Sequence, residues 1–500
     1  MEPDDAQPAT GNPLPRWFAP DFSEPSFLGA RWIWLRALGA IFFSAFLSLD
    51  FQIHGLIGPN GILPAGAYLD VLRRALGAKA YWFAPSILWI SSSDRALDAL
   101  VWIGFAASVA LIFNLWPRVS IALAGICFLG FVSAAQDFSS YQSDGMLLEA
   151  ALLSIFFAPR GVRPGLGADQ PPSKAALFML RWEWFRIYFE SGLVKILSGE
   201  PQWRNLTAMD KYYENGPLPT WIGWYVQQWP HMFHAATAAA TLIVELFIAW
   251  LVFFPKWSRR IAFVITTPLQ IGIILTANYA FLNYLVLFLG FLLLDDRLFA
   301  TRPRRTADGP RRASYVAAIV LSIVFITTVA AFFMPNFPTV TLLEPFRVAN
   351  TYGLFAVMTR ARYEIEFQGT YDGRTWYAYP FRYKPQNIFK PPGIYAPYQP
   401  RFDWNLWFAS LGTWADNRWV LNVEVRLLQN QPEVLELFAG NPFPRRPPAA
   451  VRAVEWQYWF TTSAERAKSG AWWKRDFIGQ FAPTARRMPD GSIQLENSEP

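Results

Sequence analysis

The chain has 500 residues, of which 53% are hydrophobic and 17% aromatic but only 16% charged. Soluble domains run nearer a quarter charged, so the composition points to a membrane protein, and a mean hydropathy of only +0.18 implies a polar domain diluting an apolar one. The net charge of +7 does not mark a nucleic-acid binder, because the arginines gather in short connections between apolar runs. Cys127 is the single cysteine, which excludes a disulfide framework, a CxxC redox pair and a thiolate metal site.

Residues 1–30 are Pro-rich and polar, with Asp4, Asp5 and Asp21, and lack the basic start and apolar core of a cleavable signal peptide. The first apolar run, 31–50, is therefore expected to act as an uncleaved insertion signal and first span. Residues 50–96 are too rich in Gly and Pro for a span and read as a large loop with an amphipathic helix near 67–76. Further spans are expected at 97–116, 119–135, 146–157, 175–197, 235–254, 261–276, 278–294 and 315–334. The fourth is short for a span unless other helices surround it. A second large loop, 198–234, is dense in Trp, Tyr and hydrogen-bonding side chains. This gives an α-helical polytopic membrane domain of about nine spans over 31–334.

Charge sets its orientation. Arg118; Arg160, Arg163 and Lys174; Lys256, Arg259 and Arg260; and Arg297 to Arg312 occupy alternate connections, whereas 136–145 and 277–278 carry no Lys or Arg. The positive-inside rule then places residues 1–30 in the cytoplasm. It places the loops 50–96 and 198–234, and everything after Met334, on the other side. Beyond Met334 the pattern changes. YEIEFQG and RTWYAYPFRY flank an Asp372-Gly373 turn, a β-hairpin signal. DWNLWFASL and NRWVLNVEVRLLQNQPEVLELFAG have helical spacing, and AAVRAVEWQYWFTT alternates again. Residues 335–485 are thus expected to form one soluble α+β domain, with 486–500 a frayed polar tail.

The chain is organised around residues 181–219, RWEWFRIYFESGLVKILSGEPQWRNLTAMDKYYENGPLP. Arg181, Glu183, Arg186, Glu190 and Lys195 interrupt an apolar helix, and ionisable groups at membrane depth face a bundle interior or a wet cavity and are paired. Arg186 and Glu190, four residues apart, share one helix face. Two readings stand: an ion-pair network that locks helix packing, or a functional site.

Several stretches together resemble one family, the lipase maturation factors, itself distantly similar to the membrane domain of vitamin K-dependent γ-carboxylases. They are GLIGPNGILPA (55–65), YQSDGMLLEA (141–150), LVKILSGEPQWRNLTAM with YYENGPLP (193–219), and NYAFLN ending in LLLDD (278–296). Past the membrane domain the resemblance continues through NTYGLFAVMT (350–359), FRYKP, APYQPRFDWNLWF and NPFPRRPP. It covers most of residues 31–480. Glu190 stands where the family more often has a small residue, and Ser143 where an aromatic is usual. The resemblance implies a membrane-bound role in maturation of secreted lipases. In the eukaryotic family this role is in the ER membrane, where the protein helps lipases fold and assemble into active dimers. For a bacterial member the matching place is the inner membrane, with a periplasmic domain.

The matching motifs 50–64, 142–144, 203–219 and 278–283 all fall on the outer side, which suggests a shared cavity or client surface there. Its candidates are Trp203, Arg204, Asn205, Thr207, Tyr213, Gln142, Asp144, Asn278 and Asn283. Trp and Arg are enriched at binding hot spots. Anchoring of Trp203, Tyr212, Tyr213, Trp221 and Trp224 at the headgroup level is the competing explanation. Asp144 or Glu149 is expected to pair with Arg181, Arg186 or Lys195, while Arg401, Asp403, Trp404 and Trp407 read as salt bridge and core of the soluble domain. His231 and His234 lack an evident third ligand, so no metal is assigned, and no cofactor is implied. The leading reading is a non-enzymatic, chaperone-like maturation factor whose partners are the bilayer and a secreted lipase or other exported client. The alternative is a membrane enzyme acting on a lipid or quinone-like substrate through Lys195, Glu149, Glu190 and Arg186, with Lys195 as base. A transporter lined by the charged helix is a third.

Overall fold

Proline or a capping serine marks the start of several of the apolar helices. The computed structural model describes residues 17–22, 26–139, 141–299, 314–334 and 336–496. The polar start 1–16, the Arg-rich segment 300–313 and the end 497–500 lie outside the described residues. The principal helices of the first part are α1 (Leu28–Asp50), α2 (Asp94–Ile112), α3 (Pro117–Val132), α4 (Gln142–Phe157), α5 (Lys174–Leu197), α6 (His231–Leu246), α7 (Lys256–Thr276), α8 (Leu282–Gly290) and α9 (Tyr315–Phe333). Pro117 opens α3 at a position that needs no N–H donor. Ser173 and Ser314 cap α5 and α9 by accepting the N–H groups of Ala176 and Ala317, each at 3.2 Å.

Five helices are long and apolar enough to cross a membrane: Leu28–Asp50, Asp94–Ile112, His231–Phe253, Lys256–Thr276 and Tyr315–Phe333. The third of these is α6 continued by 3₁₀ turns over Ile248–Phe253. Pro117–Val132 and Leu282–Leu293 are apolar but shorter. The sequence-derived count of about nine thus rests on four further helices that fall short in length or, for α5, are interrupted by charge. Their placement explains why they fall short. Ser143 through Ala151 of α4 are all buried, so this part of the helix meets protein on every side. By contrast α6, α7 and α9 turn apolar side chains outward, among them Met232, Phe247, Val264, Val316, Ile319 and Ile326. Residues 278–281, expected to be helical, form a turn instead, and α8 starts at Leu282.

The second part is an antiparallel sheet with helices on it. Its strands are β1 (Arg362–Thr370), β2 (Trp376–Ala378), β3 (Ala450–Phe460), β4 (Trp473–Gln480), β5 (Thr484–Arg487) and β6 (Ile493–Glu496). The order is β2-β1-β3-β5-β6, with β4 also paired to β3. The hairpin forms at Asp372-Gly373 as expected: Asp372 Oδ1 accepts the N–H groups of Arg374 and Thr375 at 2.8 Å, and Gly373 has φ +74°. β1 and β3 run in continuous register from Arg362↔Tyr458 to Thr370↔Ala450. Helices α10 (Arg401–Ala409) and α11 (Trp419–Leu428) pack on β1 and on β3 and β5. One expectation is corrected here. The expected tail is not frayed as far as residue 496, because Ile493–Glu496 pairs with Thr484–Arg487 and extends the sheet, while 497–500 lie outside the described residues. The alternation of SIQLE after a Gly491 turn (φ +84°) makes this strand.

Candidate functional site

The sheet domain sits on one end of the helix bundle, and the motif residues of the helices are what hold it. At the end of α1, Gln52 Nε2 donates to Tyr398 Oη at 3.2 Å and to the Gln399 carbonyl at 3.0 Å, and Ser48 also donates to that carbonyl. In the following loop, the carbonyls of Gly61 and Ile62 accept from Arg426 and Asn422 at 3.0 and 3.2 Å. A Cβ on Gly55 would collide with the Glu433 carbonyl, so only glycine admits this contact. Asp144, at the start of α4, receives a two-pronged bond from Arg401 at 2.8 and 2.9 Å, with both side chains buried. Asn278 clamps the strap 393–396: its Oδ1 accepts from Tyr395 and Ala396 at 2.7 and 3.0 Å, and its Nδ2 donates to Gly393 and Leu218 at 2.9 and 3.0 Å. Glu214 and Asn215 reach Phe460 and Thr359 at 2.7 and 2.9 Å, and Arg362 donates to the Glu214 and Pro217 carbonyls.

The charged faces of α4 and α5 grip the segment Asn350–Gly353 that leads into the sheet domain. Arg186 is ion-paired to Glu149, and its other nitrogen donates to the Asn350 carbonyl at 2.6 Å. Glu149 Oε2 accepts from Asn350 N, Asn350 Nδ2 and Tyr352 Oη at 3.0, 3.1 and 2.9 Å. Glu190 accepts the Tyr352 N–H at 2.6 Å, and Gln142 accepts that of Gly353 at 3.0 Å. Lys195 is elsewhere. Its ammonium bonds both oxygens of Glu245 on α6 at 2.8 Å and lies 5.1 Å from the Trp203 ring centroid. The four residues Lys195, Glu149, Glu190 and Arg186 therefore do not form one cluster, since three are occupied by the chain's own backbone and the fourth is neutralised by a separate carboxylate. Asp144 pairs with Arg401 rather than with a cation of α5, and Arg181 bonds the Leu292 carbonyl at 2.9 and 2.7 Å.

Two cavities lie against this junction. One, of about 550 Å³, runs between α6 and α7 and is lined by Lys195, Trp203, Tyr213, Glu245 and Asn283 among mostly apolar neighbours. The other, of about 380 Å³, lies between the membrane and sheet domains and is lined by Gln142, Tyr212, Trp404, Phe408 and Leu411. Tyr212, Tyr279, Leu282, Leu354 and Phe355 line both. On its rim Val357, Phe408 and Leu411 are exposed.

Of the predicted residues, Trp203, Tyr213 and Asn283 line the first cavity and Gln142 the second, whereas Asp144 and Asn278 are clamps between domains. Trp203 donates to the Phe355 carbonyl at 2.9 Å, and Asn283 to Gln270 at 2.7 Å. Arg204 and Asn205 are exposed and Thr207 half-buried, and none of them lines either cavity. Headgroup anchoring is corrected for four aromatics: Trp203, Tyr212, Tyr213 and Trp224 are buried by protein, and only Trp221 is exposed. His231 bonds Asp210 at 2.9 Å, and His234 packs 5.7 Å from the Tyr213 ring. Among the described residues no three His, Cys, Asp or Glu side chains converge. Arg401 is not internal to its own domain but the ion that fastens it to α4, while Asp403 does stay inside, accepting the N–H groups of Tyr383 and Lys384 at 3.2 and 3.1 Å. Glu245 was missed, although a lone carboxylate in the apolar run TLIVELF is itself the signal.

A polytopic helical membrane domain with polar side chains at one end committed to holding an antiparallel sheet domain defines the class of this protein. Residues 29–301 match the family described as the lipase maturation factor transmembrane domain, and residues 348–483 match the lipase maturation factor C-terminal domain. The chain belongs to the lipase maturation factor family. It is 31% identical to lipase maturation factor 1 of Bos taurus over 93% of this chain and 90% of that protein. It is 30% identical to lipase maturation factor 1 of Homo sapiens over 92% and 88%, and 29% identical to lipase maturation factor 2 of Homo sapiens over 91% and 82%. No solved structure matches the chain.

Proposed function

We propose that this chain is a membrane-bound maturation factor that assists the folding or assembly of secreted lipases, or of similar exported clients, without catalysing a reaction. The observation that carries this reading is the length of the relationship: it runs through both the helix bundle and the sheet domain of proteins named lipase maturation factor 1 and 2. The bundle crosses the membrane about nine times, and the sheet domain lies on the non-cytoplasmic side, where an exported client emerges. In a bacterial cell that is the inner membrane with a periplasmic domain. The apolar cavity beside the domain junction, with Val357, Phe408 and Leu411 exposed at its rim, supports client contact there. Such a groove holds an apolar segment of a partly folded client and loses it once that segment is buried in the mature fold. The enzyme reading is less well supported, because Glu149, Arg186 and Glu190 hold the Asn350–Tyr352 segment while Lys195 is paired with Glu245 on α6.

The test is secretion of a lipase by cells with and without this protein. Equal amounts of secreted lipase with a lower active fraction in the deletion, restored by the wild-type chain, are expected. A photo-crosslinker at Phe408 should capture the immature lipase. Unchanged specific activity in the deletion would remove the proposal.

A further inference from the structure

At the end of the bundle away from the sheet domain, three cations face one cavity with a single carboxylate among its described lining residues. The cavity, of about 530 Å³, lies between the start of α5, the start of α7 and the segment before α1. Its cations are Lys174, Arg181 and Arg259, and its carboxylate is Asp21, 3.9 Å from Lys174. Neither arginine has a carboxylate partner among the described residues. Arg181 spends Nε and Nη2 on the Leu292 carbonyl and lies 4.6 Å from the Phe27 ring centroid. Arg259 donates Nη1 to the Phe254 carbonyl at 3.0 Å, and its buried Nε has no partner. Among the described residues the carboxylates Asp295 and Asp296 beside it are already committed, Asp295 to Arg260 at 3.2 Å, and Asp296 to Ser26 and the N–H groups of Leu28 and Gly29 at 2.7 to 2.8 Å.

We propose that this cleft binds the phosphate of an anionic phospholipid. Lys174 and Arg181 are seven residues apart, two turns of α5, and so present their charges on one face. The helix N-terminus they flank adds the positive end of the backbone dipole. Guanidinium forks suit phosphate oxygens, and basic pockets between membrane helices recognise anionic headgroups in this way. A free phosphate would satisfy the same charges, but the walls favour an amphiphile. Trp17, Phe178 and Phe253 line the cleft, and Trp17 and Phe253 are exposed beside it, placing apolar surface for acyl chains next to the cations. The site is independent of the client-handling reading.

The full-length protein in neutral detergent is titrated with phosphatidylglycerol, with phosphatidylcholine and with inorganic phosphate, followed by thermal unfolding and native mass spectrometry. The wild type is expected to bind and be stabilised by phosphatidylglycerol alone. The variant Lys174→Gln/Arg259→Gln leaves the Arg181 bonds in place and should bind it at least about tenfold more weakly. Arg73→Gln, an exposed cation remote from the cleft, should bind it normally. Equal affinity for both lipids, equal binding by the double variant, or stabilisation by inorganic phosphate that matches the lipid would each overturn the proposal.

Discussion

The two ends of α5 treat charge in opposite ways. Toward the sheet domain, Arg186, Glu190 and Lys195 each meet a partner supplied by the protein: Glu149, the Asn350 and Tyr352 backbone, and Glu245. Toward the basic end, Arg181 and the neighbouring Arg259 hydrogen-bond only backbone carbonyls among the described residues, and Arg181 also lies over the Phe27 ring. Charges that fix a docked geometry are worth the desolvation they cost only when paired and hydrogen-bonded, which describes the first end. Charges left without a carboxylate at the second end are suited to a ligand from outside. The same helix thus carries a structural role at one end and an open one at the other.

The largest effect is expected from breaking the paired end. Glu149→Ala leaves Arg186 buried without its carboxylate and frees the Asn350–Tyr352 segment, which should cost about 3–5 kcal/mol in unfolding measurements. Asn278→Ala removes the bonds to Gly393, Tyr395 and Ala396 that hold the strap, and should lower stability by about 2–3 kcal/mol, at roughly 1 kcal/mol per hydrogen bond. A pH titration sharpens the comparison inside the sheet domain. Burial raises the Asp403 carboxyl to about 6, against two backbone N–H bonds that pull it down. The folded state therefore holds this proton more tightly than the unfolded chain, whose carboxyl titrates near 3.8. The contribution of Asp403 is most favourable below pH 4 and becomes less so as pH rises through 6, by up to about 3 kcal/mol. Asp403→Asn keeps an acceptor at Oδ1 for both N–H groups, so unfolding between pH 4 and 7 should become flatter without loss at pH 7. Arg204→Ala should change stability by less than about 0.5 kcal/mol, since the side chain is exposed. A loss of client capture in that variant would extend the client surface from the junction cavity to the aromatic loop.

Local chemistry was legible wherever it depended on near neighbours in the chain. The Asp372-Gly373 hairpin, the alternation of β3 and the helix starting at Trp419 all follow from spacing and turn residues. That the motifs 50–64, 142–144, 203–219 and 278–283 share one end of the bundle was also readable, from hydropathy and charge alternation. What they do there was not. Asp144 and Arg401 are 257 positions apart, and Lys195 and Glu245 are 50 apart, so each pairing depends on which helices become neighbours. Periodicity says which face of a helix is buried, not which face it meets. β6 was missed because four residues of weak alternation form a strand only when β5 offers an edge.

The motif residues act as a socket for the sheet domain, and cutting the connection between the domains tests this most directly. A protease site placed after Leu343 would be cleaved in the folded full-length protein, and release of the sheet domain from the bundle followed over time. The wild-type halves should stay together, and Arg401→Ala, which leaves Asp144 buried and unpaired, should release the sheet domain at least about 100-fold faster. Immediate separation of the wild-type halves, or an unchanged rate for Arg401→Ala, would contradict it.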